Sequence, residues 1–165
     1  MKLIWRITVM LMIAGLIAGC AMPGSIVPNA TTADELVKKL GKPSDTRKNA
    51  QGGESWDYAY GPEGTETWRF DIDSGRMVRN AAQILTQERL YQVVPGVTTE
   101  AQVLELLGRP RMVTKFTGST AWEWRVLRSP ARGIFVVSFN HSGLATGVSI
   151  MEDMTTDGGD RGGDK

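Results

Sequence analysis

The chain has 165 residues, of which 41% are hydrophobic and 22% charged, with a formal net charge of +1 and one cysteine. This composition excludes a collagen-like or wholly disordered chain, and the near-zero charge argues against nucleic acid as a partner. The apolar residues are unevenly distributed, because residues 3–19 contain no acidic residue and only one basic residue, Arg6.

Residues 1–19 have the organisation of a signal peptide. Lys2 and Arg6 supply a positive start, and residues 7–17 form an apolar core of the usual signal-peptide length. A membrane-spanning helix needs roughly 20 apolar residues, and this run stops short of that length. The segment is therefore predicted to sort the protein and then be removed, which would turn the formal charge of the remaining chain negative.

The end of this segment, from Leu16 to Cys20, resembles a bacterial lipobox. The resemblance implies cleavage between Gly19 and Cys20, with covalent diacylglycerol and an N-acyl chain such as palmitate on Cys20; no other cofactor is expected. Lipidation also explains an unpaired cysteine in an oxidising compartment. Ala21 stands where an aspartate would be typical of inner-membrane retention, so the pattern indicates a lipid anchor on the periplasmic face of the outer membrane. The alternatives are cleavage elsewhere or an uncleaved anchor.

Residues 20–30, which include Pro23-Gly24, are predicted to be a lipidated tether. Beyond them the chain repeats itself: the string from Thr31 to Pro43 returns without a gap 67 residues later, from Thr98 to Pro110. Two repeats are predicted, at residues 31–79 and 80–151, within a single domain. Residues 152–165 lack apolar periodicity and are predicted to be a disordered acidic tail.

Each repeat begins with the signals for one short helix. Thr32 with Glu35, and Thr99 with Gln102, fit a capping box at the start of the helix. A glycine and then a proline end each helix. A second short helix is predicted near Thr86, before the second repeat's main helix. Helices of about eight residues are marginal alone, so they must pack on another element.

Alternating aromatic residues predict the surface on which these helices pack. The tryptophans after the leader fall on predicted strands, where burial in the core is the default interpretation: Trp56, Trp68, Trp122 and Trp124. Three antiparallel strands are expected in each repeat, and the two repeats are expected to lie side by side in one continuous sheet. The predicted fold class is therefore α+β, with the helices packed on that one sheet.

The order of motifs in each repeat resembles the SmpA/OmlA (BamE-like) family of outer-membrane lipoproteins. These motifs are a helix ending in Leu-Gly-x-Pro, a Trp-x-aromatic strand and a hairpin with Ser-Gly at its turn. The match is best in the second repeat, from Ile84 to Gly143, although Gly96-Val97-Thr98-Thr99 is one residue longer than the family's usual Gly-Met-Thr. Tandem copies of this unit are similar to the fold of the β-lactamase inhibitor protein. The resemblance implies attachment to the subunits of the β-barrel assembly machinery.

The sequence offers little for catalysis. His141 is the only histidine and is predicted to lie in a surface hairpin turn. Cys20 is assigned to lipid, so cysteine–histidine catalysis and the usual zinc sets lack their residues. Asp71 and Asp73 share a strand face, but no nucleophile accompanies them. We therefore expect a protein that is not an enzyme and that has no metal site.

Basic residues are concentrated in the second repeat, which makes them candidates for contact with a partner or with lipid headgroups: Arg109, Arg111, Lys115, Arg125, Arg128 and Arg132. Such a patch can meet an acidic protein partner or anionic phospholipid headgroups. The alternative is a solvated sheet face, which is the commoner role of charge runs.

Two functions remain open from the sequence. The first is an accessory or scaffolding role in outer-membrane β-barrel assembly and envelope integrity, through protein–protein contacts. The second is a periplasmic inhibitor that binds an enzyme through its tandem sheet.

Overall fold

The computed structural model describes residues 22–128 and 131–153, without the side chains of residues 128 and 131. It contains two units with similar element order. The first unit consists of α1 (Ala33–Leu40), β1 (Asp45–Lys48), β2 (Glu54–Tyr60), β3 (Glu66–Ile72) and β4 (Val78–Gln83). The second unit consists of α2 (Gln87–Leu90), α3 (Glu100–Leu107), β5 (Met112–Phe116), β6 (Ser119–Arg128), β7 (Ala131–Asn140) and β8 (Ala145–Glu152). Short 3-10 turns lie at Pro23–Ser25 and Pro62–Gly64.

Both predicted capping boxes are confirmed. The Thr32 side chain accepts a hydrogen bond from the Glu35 backbone N–H, and the Glu35 carboxylate accepts one from the Thr32 backbone N–H at 2.8 Å. Thr99 and Gln102 repeat this arrangement at the start of α3. The reciprocal bonds satisfy backbone donors that the first turn of a helix leaves unpaired, so both helices begin where the sequence predicts.

The prediction of one continuous sheet built from three strands per repeat is wrong. The described residues form two separate four-stranded antiparallel sheets, ordered β1-β2-β3-β4 and β5-β6-β7-β8. The strands missed from the sequence are β1 and β5, each at the edge of its sheet. β1 has the sequence Asp-Thr-Arg-Lys and carries no apolar alternation, because neither of its faces needs to enter a core.

Each sheet packs its aromatic face against its own helix. In the first unit Leu36 meets Trp56, Tyr58 and Phe70, and in the second a larger cluster surrounds Val103 and Leu107. The second cluster includes Trp122, Trp124, Val126, Phe135, Val137 and Phe139. The prediction that the strand tryptophans enter the core holds for Trp56, Trp122 and Trp124, whereas Trp68 is only partly buried.

The described part of the predicted tether packs on the first unit. Pro23 is fully buried, Ile26 belongs to the first core, and the Asn29 N–H donates to the Val78 carbonyl at 2.8 Å. At the other end of the chain, Glu152 closes β8 and the Asp153 side chain is buried. The folded structure therefore extends into both the predicted tether and the start of the predicted acidic tail.

Candidate functional site

A buried ionic cluster joins the two units on the face of the first sheet opposite α1. The Arg69 guanidinium donates to both oxygens of Asp57, from Nε at 2.7 Å and from Nη2 at 3.0 Å. Asp57 also accepts from Arg47 Nη2 at 2.6 Å. The Asp57 side chain is 1% exposed and that of Arg69 is 6% exposed, so this pair is removed from solvent. Burial lowers the pKa of Arg69, but the hydrogen bond and charge of Asp57, with the charges of Glu105 and Asp71, raise it by more.

Arg69 also caps the C-terminus of α3 in the other unit. Its Nη1 donates to the Glu105 carbonyl at 2.5 Å, and its Nη2 donates to the Leu104 carbonyl at 3.3 Å. Arg89 donates to the next carbonyl, that of Leu106, at 3.2 Å. The Glu105 and Leu106 carbonyls lie in the last turn, where helix carbonyls lack an intrahelical partner and carry partial negative charge, so the two guanidinium groups stabilise this end.

Sequence reasoning missed this cluster. Asp57 and Arg69 alternate with aromatic residues on β2 and β3, a pattern that normally indicates a solvent-facing position. The second unit covers this face instead. The one available signal was an acid and a base at polar positions of adjacent strands, which pair directly in the sheet.

The six predicted contact residues do not form one surface. Arg125 is 15% exposed; it pairs with Glu63 of the first unit at 2.5 Å and with Asp153 at 3.0 Å. Arg132 approaches the other Glu63 oxygen at 3.7 Å. Glu63 lies in the left-handed region at φ 57°, a conformation that costs energy for a residue with a side chain. Arg125 and Arg132 therefore help to hold the two units together.

Three of the other four predicted basic residues are exposed. Arg109 and Arg111 line a cleft of about 250 Å³ between the units, whose walls include Asp57, Thr67, Leu85 and Trp124. Lys115 is exposed on the edge strand β5. The Arg128 side chain and both Gly19 and Cys20 lie outside the described residues. The structure thus leaves three of the predicted cations available to a partner: Arg109, Arg111 and Lys115.

The residues considered for catalysis, His141, Asp71 and Asp73, lie in turns or at strand positions. His141 is exposed in the turn between β7 and β8, as predicted. Asp71 accepts from Ser55 Oγ at 2.6 Å and from Asn80. Asp73 follows β3, where the Met77 backbone N–H and then the Arg79 guanidinium lower its pKa. Both carboxylates therefore organise the strands and the turn beside them.

Neither a metal-binding cluster nor a membrane-spanning helix lies within the described ranges, 22–128 and 131–153. No group of three or more histidine, cysteine, aspartate or glutamate side chains is arranged to hold a metal ion. Among the helices in these ranges, none has both the length and the apolar character required to cross a bilayer.

Part of the chain matches a known protein family. Residues 82–149 match the family described as the outer membrane protein assembly factor BamE domain. No curated protein matches the sequence. The matched range covers the end of β4 and nearly the whole second unit, so the exposed Arg109, Arg111 and Lys115 all lie within it.

Two solved structures show weak similarity to part of this chain. A DUF4309 family protein, YjgB from Bacillus subtilis, is 15% identical with a TM-score of 0.32, over 81% of this chain and 86% of that one. An extracellular protein containing a SCP domain from Bacillus anthracis is 18% identical with a TM-score of 0.33, over 82% of this chain and 47% of that one.

Proposed function

We propose that the chain is an accessory subunit of outer-membrane β-barrel assembly, because residues 82–149 match the family described as the outer membrane protein assembly factor BamE domain. It acts through protein–protein contacts at the periplasmic face of the outer membrane and supports envelope integrity. The family match is the observation that carries this proposal. It covers the region in which the chain exposes cations and apolar edge residues to possible partners.

The membrane attachment in this proposal is the lipid on Cys20. It is supported by the lipobox from Leu16 to Cys20 and by the charged, then apolar, segment before it. Several acyl chains on one residue make anchoring effectively permanent, whereas one chain gives marginal binding. Cys20→Ala is expected to leave the precursor unlipidated and uncleaved by the lipoprotein peptidase, and mass spectrometry of the envelope fraction measures both.

The partner surface is proposed to include Arg109, Arg111 and Lys115. These residues are exposed, whereas Arg125 and Arg132 already bind Glu63. Exposed cations attract an acidic protein surface and speed its association. Anionic phospholipid headgroups remain a second ligand for the same side chains.

The test is affinity purification of the chain from detergent-solubilised envelopes. Recovery of β-barrel assembly subunits is expected with the wild type, and a triple charge-neutral variant of Arg109, Arg111 and Lys115 is expected to recover less. A variant of the outward-facing Lys48 in the first unit is the matched control and should behave like the wild type. Recovery of a soluble hydrolase without any assembly subunit would refute the assembly role and favour the inhibitor alternative.

A further inference from the structure

The edge strand β5 differs from the other three sheet edges of the described chain. At the β4 edge, the Val78 carbonyl accepts from Asn29 N–H and its N–H donates to Thr31. At the β8 edge, Ala145 makes the equivalent bonds with Gly96 and Thr98. Both of these edges are thus partly covered by the segment that precedes the unit's main helix.

The remaining two edges differ in their side chains. β1 has charged residues at three of its four positions, Asp45, Arg47 and Lys48, and charge on an edge strand discourages the addition of another strand. β5 instead exposes Met112, Val113 and Phe116, which are 44%, 48% and 60% exposed. Of the two uncovered edges, β5 is therefore the apolar one.

The backbone of β5 is arranged to accept another strand. The two-residue turn at Thr117-Gly118 joins Phe116 to Ser119, so these two form a hydrogen-bonded pair of the hairpin. Along an antiparallel ladder, hydrogen-bonded pairs alternate with pairs that are not hydrogen-bonded to each other. Counting back from Phe116, Val113 and Lys115 belong to the second kind, so their N–H and C=O groups point away from β6. Since β5 is an edge strand, these groups point toward solvent.

The charge near this edge selects the kind of strand that fits. Arg111 directly precedes β5 and Lys115 lies within it, and both are exposed. An added strand with apolar residues at alternate positions would lie beside Met112 and Phe116, which share one face. Acidic residues at its ends would complement the two cations.

We infer that β5 binds, by strand addition, an extended segment with alternating apolar residues and flanking acidic residues. Alternating apolar side chains are the pattern of a transmembrane β-strand before it enters a barrel. The identity of the segment as an unassembled outer-membrane strand rests on the proposed function. The pairing itself rests on the open backbone groups, the apolar side chains and the cations of β5.

The test uses the purified chain and a synthetic nine-residue peptide that alternates valine with threonine and carries aspartate at both ends. Amide hydrogen exchange measured by NMR is expected to slow at Val113 and Lys115 by at least about tenfold when the peptide is saturating. Exchange at Thr114, whose N–H already faces β6, should change much less. The same peptide N-methylated at every residue has no N–H group on either edge of its strand, and it should leave all three amides unchanged.

Val113→Pro removes one outward N–H, which an edge strand tolerates, and is expected to weaken peptide binding at least about tenfold. Thr46→Pro is the matched control, because Thr46 pairs with Trp56 in β1 as Val113 pairs with Trp122 in β5. Fluorescence anisotropy of a labelled peptide measures both affinities. Phe116→Ser should also weaken binding, whereas Val97→Ser, at an equally exposed apolar position, should not.

Several outcomes would overturn the inference. One is unchanged exchange at Val113 and Lys115 in the wild type, a result that does not depend on any variant folding. Another is equal binding of a peptide of the same composition in scrambled order. A third is self-association of the chain through β5, detected by sedimentation. Recovery of assembly subunits with no peptide pairing would reject this inference alone, while pairing without that recovery would reject the proposed function alone.

Discussion

Replacing Arg69 by alanine tests how strongly the two units depend on each other. The substitution removes five hydrogen bonds: two to Asp57, one to the Glu105 carboxylate, and two to the carbonyls that end α3. It also leaves a carboxylate that is 1% exposed with a single remaining cation, Arg47.

The magnitude follows from the burial of the pair. Breaking a buried ion pair by removing one partner costs about 3–5 kcal/mol. Loss of a cation at a helix C-terminus adds about 0.3–1 kcal/mol. Arg47 stays within 2.6 Å of Asp57 and offsets part of the loss, so we expect Arg69→Ala to lower the free energy of unfolding by about 3 kcal/mol.

Equilibrium urea unfolding followed by far-UV circular dichroism measures this change. With a slope of about 2 kcal/mol per molar, the midpoint should fall by about 1.5 M. Arg109→Ala removes an exposed arginine from the same inter-unit region and should change the free energy by no more than about 0.5 kcal/mol. Amide exchange at Gly108, whose N–H donates to Leu104, should accelerate in Arg69→Ala because the end of α3 loses its cap. A loss below about 1 kcal/mol, with exchange at Gly108 unchanged, would show that Arg69 does not couple the units.

Three further predictions concern turns, burial and pH. In urea unfolding, Gly108→Ala should destabilise the chain more than Gly41→Ala. Both glycines have a positive φ, but an added Cβ at position 108 would lie 2.9 Å from Asp57 Oδ2, whereas one at position 41 would meet no atom within 4 Å. Equal losses would show that the first unit moves aside easily. Burial raises the pKa of Tyr58 to about 12. In an alkaline titration followed by tyrosinate absorbance, the difference between the wild type and Tyr58→Phe should have its midpoint near pH 12. A midpoint near pH 10 would contradict the burial. The pKa of Asp73 is lowered in the folded chain, so the stabilising effect of its carboxylate is complete above about pH 3.8 and is lost as the pH falls toward the folded-state pKa. The difference in free energy of unfolding between the wild type and Asp73→Asn should therefore shrink below that pH. A constant difference would be inconsistent with the Met77 and Arg79 bonds.

Local signals in the sequence predicted the helices well. The capping boxes at Thr32 and Thr99 depend on residues three apart, and Gly41 and Gly108 adopt the positive φ that ends a helix. The aromatic alternation around Trp124 likewise placed its strand, because one face of that strand enters a core within the same repeat. Such features depend on neighbours that are close in the sequence, so they can be deduced without knowledge of tertiary packing.

The arrangement of the two units could not be deduced in the same way. Whether sheets join at their edges or remain separate depends on contacts between residues far apart, such as Arg69 with Leu104 and Glu105. The same limit applies to Arg125, whose alternation with tryptophans is equally consistent with a solvated face and with an ion pair to Glu63. Polar alternation shows which face of a strand lacks its own core, but not what covers that face.

The buried Pro23 determines how freely the folded chain can move relative to its proposed anchor. Between a lipidated Cys20 and Pro23 there are only three residue steps, or about 10 Å of extended chain. If Cys20 carries the proposed lipid, so short a connection would keep the folded chain close to the bilayer, and β5 would meet membrane-associated segments by a search across a plane and not through a volume. A longer connection would lower the effective concentration of β5 at the membrane surface without changing any contact within the protein, because effective concentration falls as a flexible linker lengthens.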